Sequence, residues 1–155
     1  MKRHFYKTTV TWTGNKGQGT KGYASYGREH TILISGKPDI LGFSDAAFRG
    51  DITRHNHEDM LLSALSVCHM LWYLHLCSDA GIVVIDYKDN AKGVMEEKQG
   101  GGGRFTEATL HPEVTITDSA RIDEANELHQ EAHRKCFIAN SCNFPVKHES
   151  SCKAA

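Results

Sequence analysis

Hydrophobic and polar positions fall along the chain in runs that mark most of its elements. Tyr6 to Thr13 (YKTTVTWT) is rich in β-branched and aromatic residues and reads as a strand. Gly14 to Gly22 follows as a glycine-rich turn, and Tyr23 to Ile34 resumes as one or two further strands. Ser35 to Asn56 has no sustained period and carries Gly36, Pro38, Gly42 and Gly50, which predicts a long functional loop. From Met60 to Cys77 the chain reads MLLSALSVCHMLWYLHLC, apolar on nearly every side, as in a helix with little solvent around it. Asn56 is a fitting N-cap, Glu58 and Asp59 suit the positive end of the dipole, and Gly81 suits a C-terminal stop. These signals bracket a helix over Glu58 to Ala80.

Ile82 to Tyr87 reads as a strand, and Lys88 to Glu97 extends it or pairs with it. Gly100 to Gly103 makes a hairpin tip. Arg104 to Thr117 then alternates polar Thr109, His111, Glu113, Thr115 and Thr117 with Leu110, Val114 and Ile116, a half-exposed strand in which only Pro112 breaks the apolar series. Ser119 is the expected cap of a second helix, Ile122 to about Ala139, and Asn143 to Val146 leads into a short tail. Strands, helix, strands, helix is the order of an α+β domain with antiparallel pairing, and the whole of 1–155 is expected to be one domain.

Composition removes several classes of function. A net charge of −1 offers no electrostatic case for nucleic acid or an anionic lipid surface. The start, MKRHFYKTT, has basic residues with no apolar run behind them and does not read as a secretory signal. The apolar stretch before Cys77 is shorter than the roughly 20 residues a bilayer needs and carries two histidines and two serines, so a membrane span is not expected. The literal G-x-G-x-x-G at Gly17 to Gly22 is followed by strand-like sequence rather than a helix, which makes it a turn and not a dinucleotide site. No cofactor is expected.

Chemistry concentrates in the cysteines. Their number is 5, odd and irregularly spaced, a poor disulfide framework but one suited to a reducing, cytoplasmic setting. Cys68 lies about ten residues inside its helix, beyond reach of the N-terminal dipole and among apolar neighbours that disfavour a thiolate. Taken alone it reads equally as an inert core residue; as a nucleophile it needs a cation from elsewhere, and Arg49, Arg54 and Arg28 are the candidates. Cys77 lies about 13 Å further along the same helix, out of disulfide range. Cys136 and Cys142 would be about 9 Å apart on one continuous helix. A redox pair must therefore join the two helices, as Cys68 with Cys136 or with Cys142. His129, His133 and Cys136 share one helical face, an arrangement open to zinc or copper or to an ordinary wet surface.

HNHEDMLLSALSVCHMLWYLHL resembles the asparagine-proline-glutamate motif and first-cysteine helix of the OsmC/Ohr family of hydroperoxide reductases, and AHRKCFIANS resembles that family's second-cysteine segment. The interval from Glu58 to Cys68 is that of the family pattern, whereas His57 stands where the motif has proline, a change tolerated at a first helical position. The resemblance implies an α+β, OsmC-like fold in which antiparallel sheets wrap long central helices of an intertwined homodimer. It implies a peroxidatic Cys68, a resolving Cys136, and an arginine, best matched by Arg49 with Arg54 as the alternative, held by Glu58. The implied partners are an organic hydroperoxide and a dithiol reductant of dihydrolipoyl type. The rival reading is a non-enzymatic protein that holds a metal or small ligand in its Cys/His cluster. Glu58 and Cys68 on one straight helix are about 15 Å apart and about 80° off each other's face. Antiparallel packing of two such helices would instead bring Glu58 of one chain to Cys68 of the other.

Overall fold

The computed structural model describes residues 1–155, which separate into two compact units, Met1–Met60 and Leu61–Ala155. In the first unit, β1 (Thr9–Trp12), β2 (His30–Leu33) and β3 (Ile40–Gly42) form an antiparallel sheet in that order. β3 lies inside the segment expected to be loop. Three residues are too few to show an alternating pattern, and it is the open edge of β2 that draws Ile40 and Leu41 into a strand. The glycine-rich segment between β1 and β2 is a turn, as expected: the Asn15 side-chain oxygen accepts from the Gly17 and Gly19 amides at 2.9 and 3.1 Å.

After β3 a 3₁₀ turn, Ala46–Phe48, is capped by Asp45, whose carboxylate accepts from the Ala47 amide at 2.7 Å. The turn ends on Arg49 in the left-handed region, φ 61° and ψ 35°, and Arg49 alone among non-glycine residues has a positive φ. Gly50 must be glycine, because a Cβ there would collide with the Ser44 carbonyl.

The long helix is α1 (His57–Asp79), within a residue of the expected ends. Asn56 caps it, accepting from the Asp59 amide at 2.7 Å, and Gly81 closes it at φ 71°. By length and composition α1 is apolar enough to cross a membrane. Its buried residues are Leu65, His69, Tyr73 and Cys77, spaced four apart as one stripe into the second unit. On the opposite stripe Val67 and Leu71 stay exposed, apolar where a surface helix is ordinarily polar.

The second unit holds two three-stranded sheets. One contains β4 (Val84–Asp89), β7 (Pro112–Ile116) and β9 (Ser151–Ala154) in the order β4-β7-β9. The other contains β5 (Lys92–Glu97), β6 (Gly103–Leu110) and β8 (Val146–His148) in the order β5-β6-β8. The run expected as one strand over Arg104 to Thr117 is thus two, broken at His111 ahead of Pro112, which lacks a backbone donor. Asp89 holds that break: one carboxylate oxygen accepts from the His111 amide at 2.7 Å and the other from Ser66 Oγ of α1 at 2.5 Å.

Pairing is not purely antiparallel. β8 and β9, in what was expected to be a tail, lie parallel to β6 and β7. Their few residues carry too little apolar pattern to announce a strand, and the free edges of β6 and β7 supply the ladder. The glycine run is a hairpin tip, with Gly100, Gly101 and Gly102 all at positive φ. α2 (Ile122–Lys135) is shorter than the expected helix to Ala139, and Cys136 ends it in extended backbone. Ser119 does not cap it; Asp118 caps a preceding 3₁₀ turn, Ser119–Arg121, instead. The core of this unit joins Tyr73 and Cys77 of α1 to Ile82, Val114, Ile116, Ala125 and Ala132.

Candidate active site

α1 presents Cys68, Leu71, Trp72 and His75 on one face, at i, i+3, i+4 and i+7. Phe137, just past α2, completes the lining of a cavity of about 340 Å³, and its ring meets Trp72 edge-on at 5.7 Å between centroids. The side chains that line it are mostly carbon, with the Cys68 sulfur, the His75 ring and the Trp72 indole nitrogen as the exceptions. Cys68 is half-buried and open to this cavity.

Cys136 approaches from α2 and is almost completely buried, 1% exposed. Its thiol is pushed up to about 11, by burial first and then by the neighbouring Cys68 thiol, against the Ala139 amide that donates to Cys136 Sγ at 3.5 Å. Of the two alternatives left by the sequence, Cys136 is the one brought to Cys68. Cys142 lies beyond the end of α2, so the helical spacing argument does not reach it, and its thiol donates to the Ile138 carbonyl at 3.3 Å. All five cysteines are free thiols.

The remaining candidates lie in the first unit. Glu58 takes its single ion pair from His57, Nε2 to Oε1 at 2.8 Å, while its other oxygen is buried without a partner. The residue that replaces proline in the motif thus holds the motif glutamate, and Glu58 makes no ion pair with Arg49 or Arg54. Sequence reasoning missed this role of His57, although the adjacency of the two residues was a usable signal. Arg28 is fully engaged, stacked between Tyr23 and Tyr26 at 4.3 Å from each ring centre and donating to the Tyr26 and Tyr23 carbonyls. Arg49 has no ion pair, and the nearest aromatic face, Tyr23, is 5.9 Å away. Arg54 lines a separate cavity of about 380 Å³ with Asp39, Ile40, Leu41, Thr53 and His55.

The helical face shared by His129, His133 and Cys136 does not converge on one ligand. His129 is fully buried and bonds His69 Nε2 through Nδ1 at 2.9 Å, His133 lies near His148 with ring centres 5.8 Å apart, and Cys136 meets Cys68. No three His, Cys, Asp or Glu side chains stand together to hold a metal ion. The burial of His129 and its bond to His69 were not visible in the sequence, where His129 read as part of a face with His133 and Cys136 and His69 as a polar break in an apolar run.

A mid-helix cysteine facing an apolar cavity, with a second thiol delivered from the end of another helix, defines a dithiol site on an α+β frame. The OsmC-like protein family matches residues 50–151, and the chain belongs to that family. No curated protein matches it. Among solved structures it is similar to an OsmC-like protein of unknown function from Vibrio cholerae, at 27% identity and a TM-score of 0.85, covering 96% of this chain and 99% of that one. It is also similar to an organic hydroperoxide resistance protein from Elizabethkingia anophelis, at 20% identity and a TM-score of 0.72, covering 98% and 100%. A third likeness is to an organic hydroperoxide resistance protein of Bacillus subtilis, at 20% identity and a TM-score of 0.61, covering 96% and 98%.

Proposed function

We propose that the protein is a two-cysteine thiol peroxidase that reduces organic hydroperoxides to alcohols. The observation that carries this reading is the asymmetry of the thiol pair: Cys68 opens on an apolar cavity, while Cys136 is shut away against it. Membership of the OsmC-like family and the naming of two similar structures as organic hydroperoxide resistance proteins support it.

In this mechanism the Cys68 thiolate attacks the distal peroxide oxygen. The O–O bond breaks, the alkoxide leaves to take up a proton, and Cys68 becomes a sulfenic acid. Cys136 then attacks that sulfur and expels water as the Cys68–Cys136 disulfide forms. An external dithiol, of dihydrolipoyl type, regenerates both thiols by exchange and leaves as its own disulfide. The carbon-lined cavity favours an organic peroxide over hydrogen peroxide, whose hydration would be lost there without replacement.

Arg49 is our choice for the cation that stabilises the thiolate and the departing alkoxide. Its αL backbone costs on the order of 1–3 kcal/mol, a strain that tends to be kept where a side chain must be aimed. Arg28, by contrast, is consumed by its tyrosine stack. Glu58, with one oxygen buried and free, is the acceptor that would orient the arginine.

The exposed apolar stripe of α1 supports an intertwined homodimer in which a second copy covers Val67 and Leu71. Because ten helical residues separate Glu58 from its own Cys68 by about 15 Å, each site would use Glu58 of the partner subunit. Free thiols throughout suit a reducing compartment such as the cytoplasm. The deciding experiment is turnover of cumene hydroperoxide with dithiothreitol or dihydrolipoamide. Loss of activity in Cys68→Ser is expected, and wild-type activity in that variant overturns the reading.

A further inference from the structure

The thiols are not the only groups that join α1 to α2. His69, next to Cys68, and His129, two turns before Cys136, are both completely buried and bonded to each other at 2.9 Å between Nε2 and Nδ1. Their ring planes lie within 1° of parallel with centroids 5.2 Å apart. With ring nitrogens at 2.9 Å, that spacing sets the rings edge to edge, with the proton along the lone pair of its acceptor. Tyr73 stacks on His129 at 3.8 Å, and His148 of β8 lies 5.5 Å from His69 and 5.9 Å from His129. The outer nitrogens, His69 Nδ1 and His129 Nε2, are buried without partners. Two buried imidazoles kept with only one bond between them form a costly arrangement, and the peroxidase chemistry does not use it.

Its placement gives it a use. Apolar packing is non-directional and lets helices slide, whereas a hydrogen bond weakens steeply when its angle is lost. The imidazole pair and the thiol pair contact the same two helices at points about 10 Å apart along α2. One contact leaves α2 free to pivot, and two fix its orientation. We propose that the His69–His129 pair is a positioning device that holds α2 against α1 so that Cys136 closes rapidly on the Cys68 sulfenic acid. The imidazoles touch neither the peroxide nor the reacting sulfurs. The step they assist is attack of the Cys136 sulfur on Cys68, forming the disulfide and releasing water. The inference rests on the two-cysteine reading.

The test separates the two half-reactions. Full-length protein is mixed with cumene hydroperoxide, the Cys68 sulfenic acid is trapped with dimedone at timed intervals, and the disulfide is followed by mass spectrometry. In His129→Leu, sulfenic acid formation should stay within about twofold of wild type while disulfide closure slows about tenfold or more. His129→Asn, which keeps a hydrogen-bonding atom near the Nδ1 position, should restore closure to within about threefold. His69→Asn, polar but too short to reach His129, should slow closure as leucine does, and it serves if His129→Leu does not fold. Closure at the wild-type rate in either folded slow-class variant overturns the positioning role alone. A wild-type protein that forms no Cys68 sulfenic acid, or no Cys68–Cys136 disulfide, takes down the peroxidase reading and this inference together.

Discussion

Cys68 and Cys136 meet, yet their surroundings differ. Cys68 faces a cavity wide enough for a small organic molecule, and Cys136 is buried and held near 11, so close to neutral pH it remains a protonated thiol. A protonated, inaccessible thiol makes a poor first nucleophile; in the proposed mechanism it serves as the second one, beside the sulfur that would be oxidised first. Cys136→Ser is therefore expected to consume a single equivalent of hydroperoxide and then stall, with Cys68 accumulating as sulfenic acid. Dimedone labelling together with residual peroxide measures both. Sustained turnover with dithiothreitol in that variant would place resolution on the external thiol or on another cysteine.

At the scale of elements, α1, α2 and β8 are joined by histidines rather than by an ion pair. Burial is the first cause of the low affinity of His69 and His129 for a proton, which falls to about 4 and about 3, and the neighbouring imidazoles add to it. Both groups are depressed below an ordinary histidine, so the folded state binds fewer protons than the unfolded chain between pH 6.5 and about 4. The stabilisation is complete above pH 6.5 and is lost as the pH falls through that window. His69 alone accounts for a loss on the order of 3 kcal/mol by the bottom of it. Urea midpoints measured from pH 7.5 down to 4.5 should fall accordingly, and His129→Leu should flatten the slope. A wild-type midpoint that holds steady across this range would contradict the burial of both imidazoles.

For the whole molecule, the uncovered apolar surface of α1 matters most. Val67 and Leu71 are 48% and 59% exposed on a helix whose other stripe is core. Leaving such a face in water is unfavourable by about 25 cal/mol for each Å² of apolar area, which a second copy would recover. Sedimentation should find a dimer. Co-expression of Glu58→Gln with Cys68→Ser tests whether the sites are shared. If Cys68 works with the partner's Glu58, each mixed dimer regains one intact site, and random pairing returns roughly a quarter of wild-type activity per chain from two inactive parents. If Glu58 serves its own chain, the mixture stays inactive.

Elements marked by strong local signals were legible in the sequence. α1 declared itself through a capping asparagine, acidic first turn and terminal glycine, and the hairpin tip through its glycines, because these signals act over a few neighbouring residues. β3, β8 and β9 were not legible, since each is three or four residues long and exists by pairing with an edge that the rest of the fold provides. The same division runs through the site. The sequence by itself determined that Cys68 could pair neither with Cys77 on its own helix nor reach Glu58 there, because helical rise alone forbids both. Only the tertiary structure decided that Cys136 is the thiol delivered to Cys68, that Arg28 is occupied by tyrosines, and that His69 and His129 bond. These are contacts between residues distant in the chain, and local preference carries no information about which of them will meet.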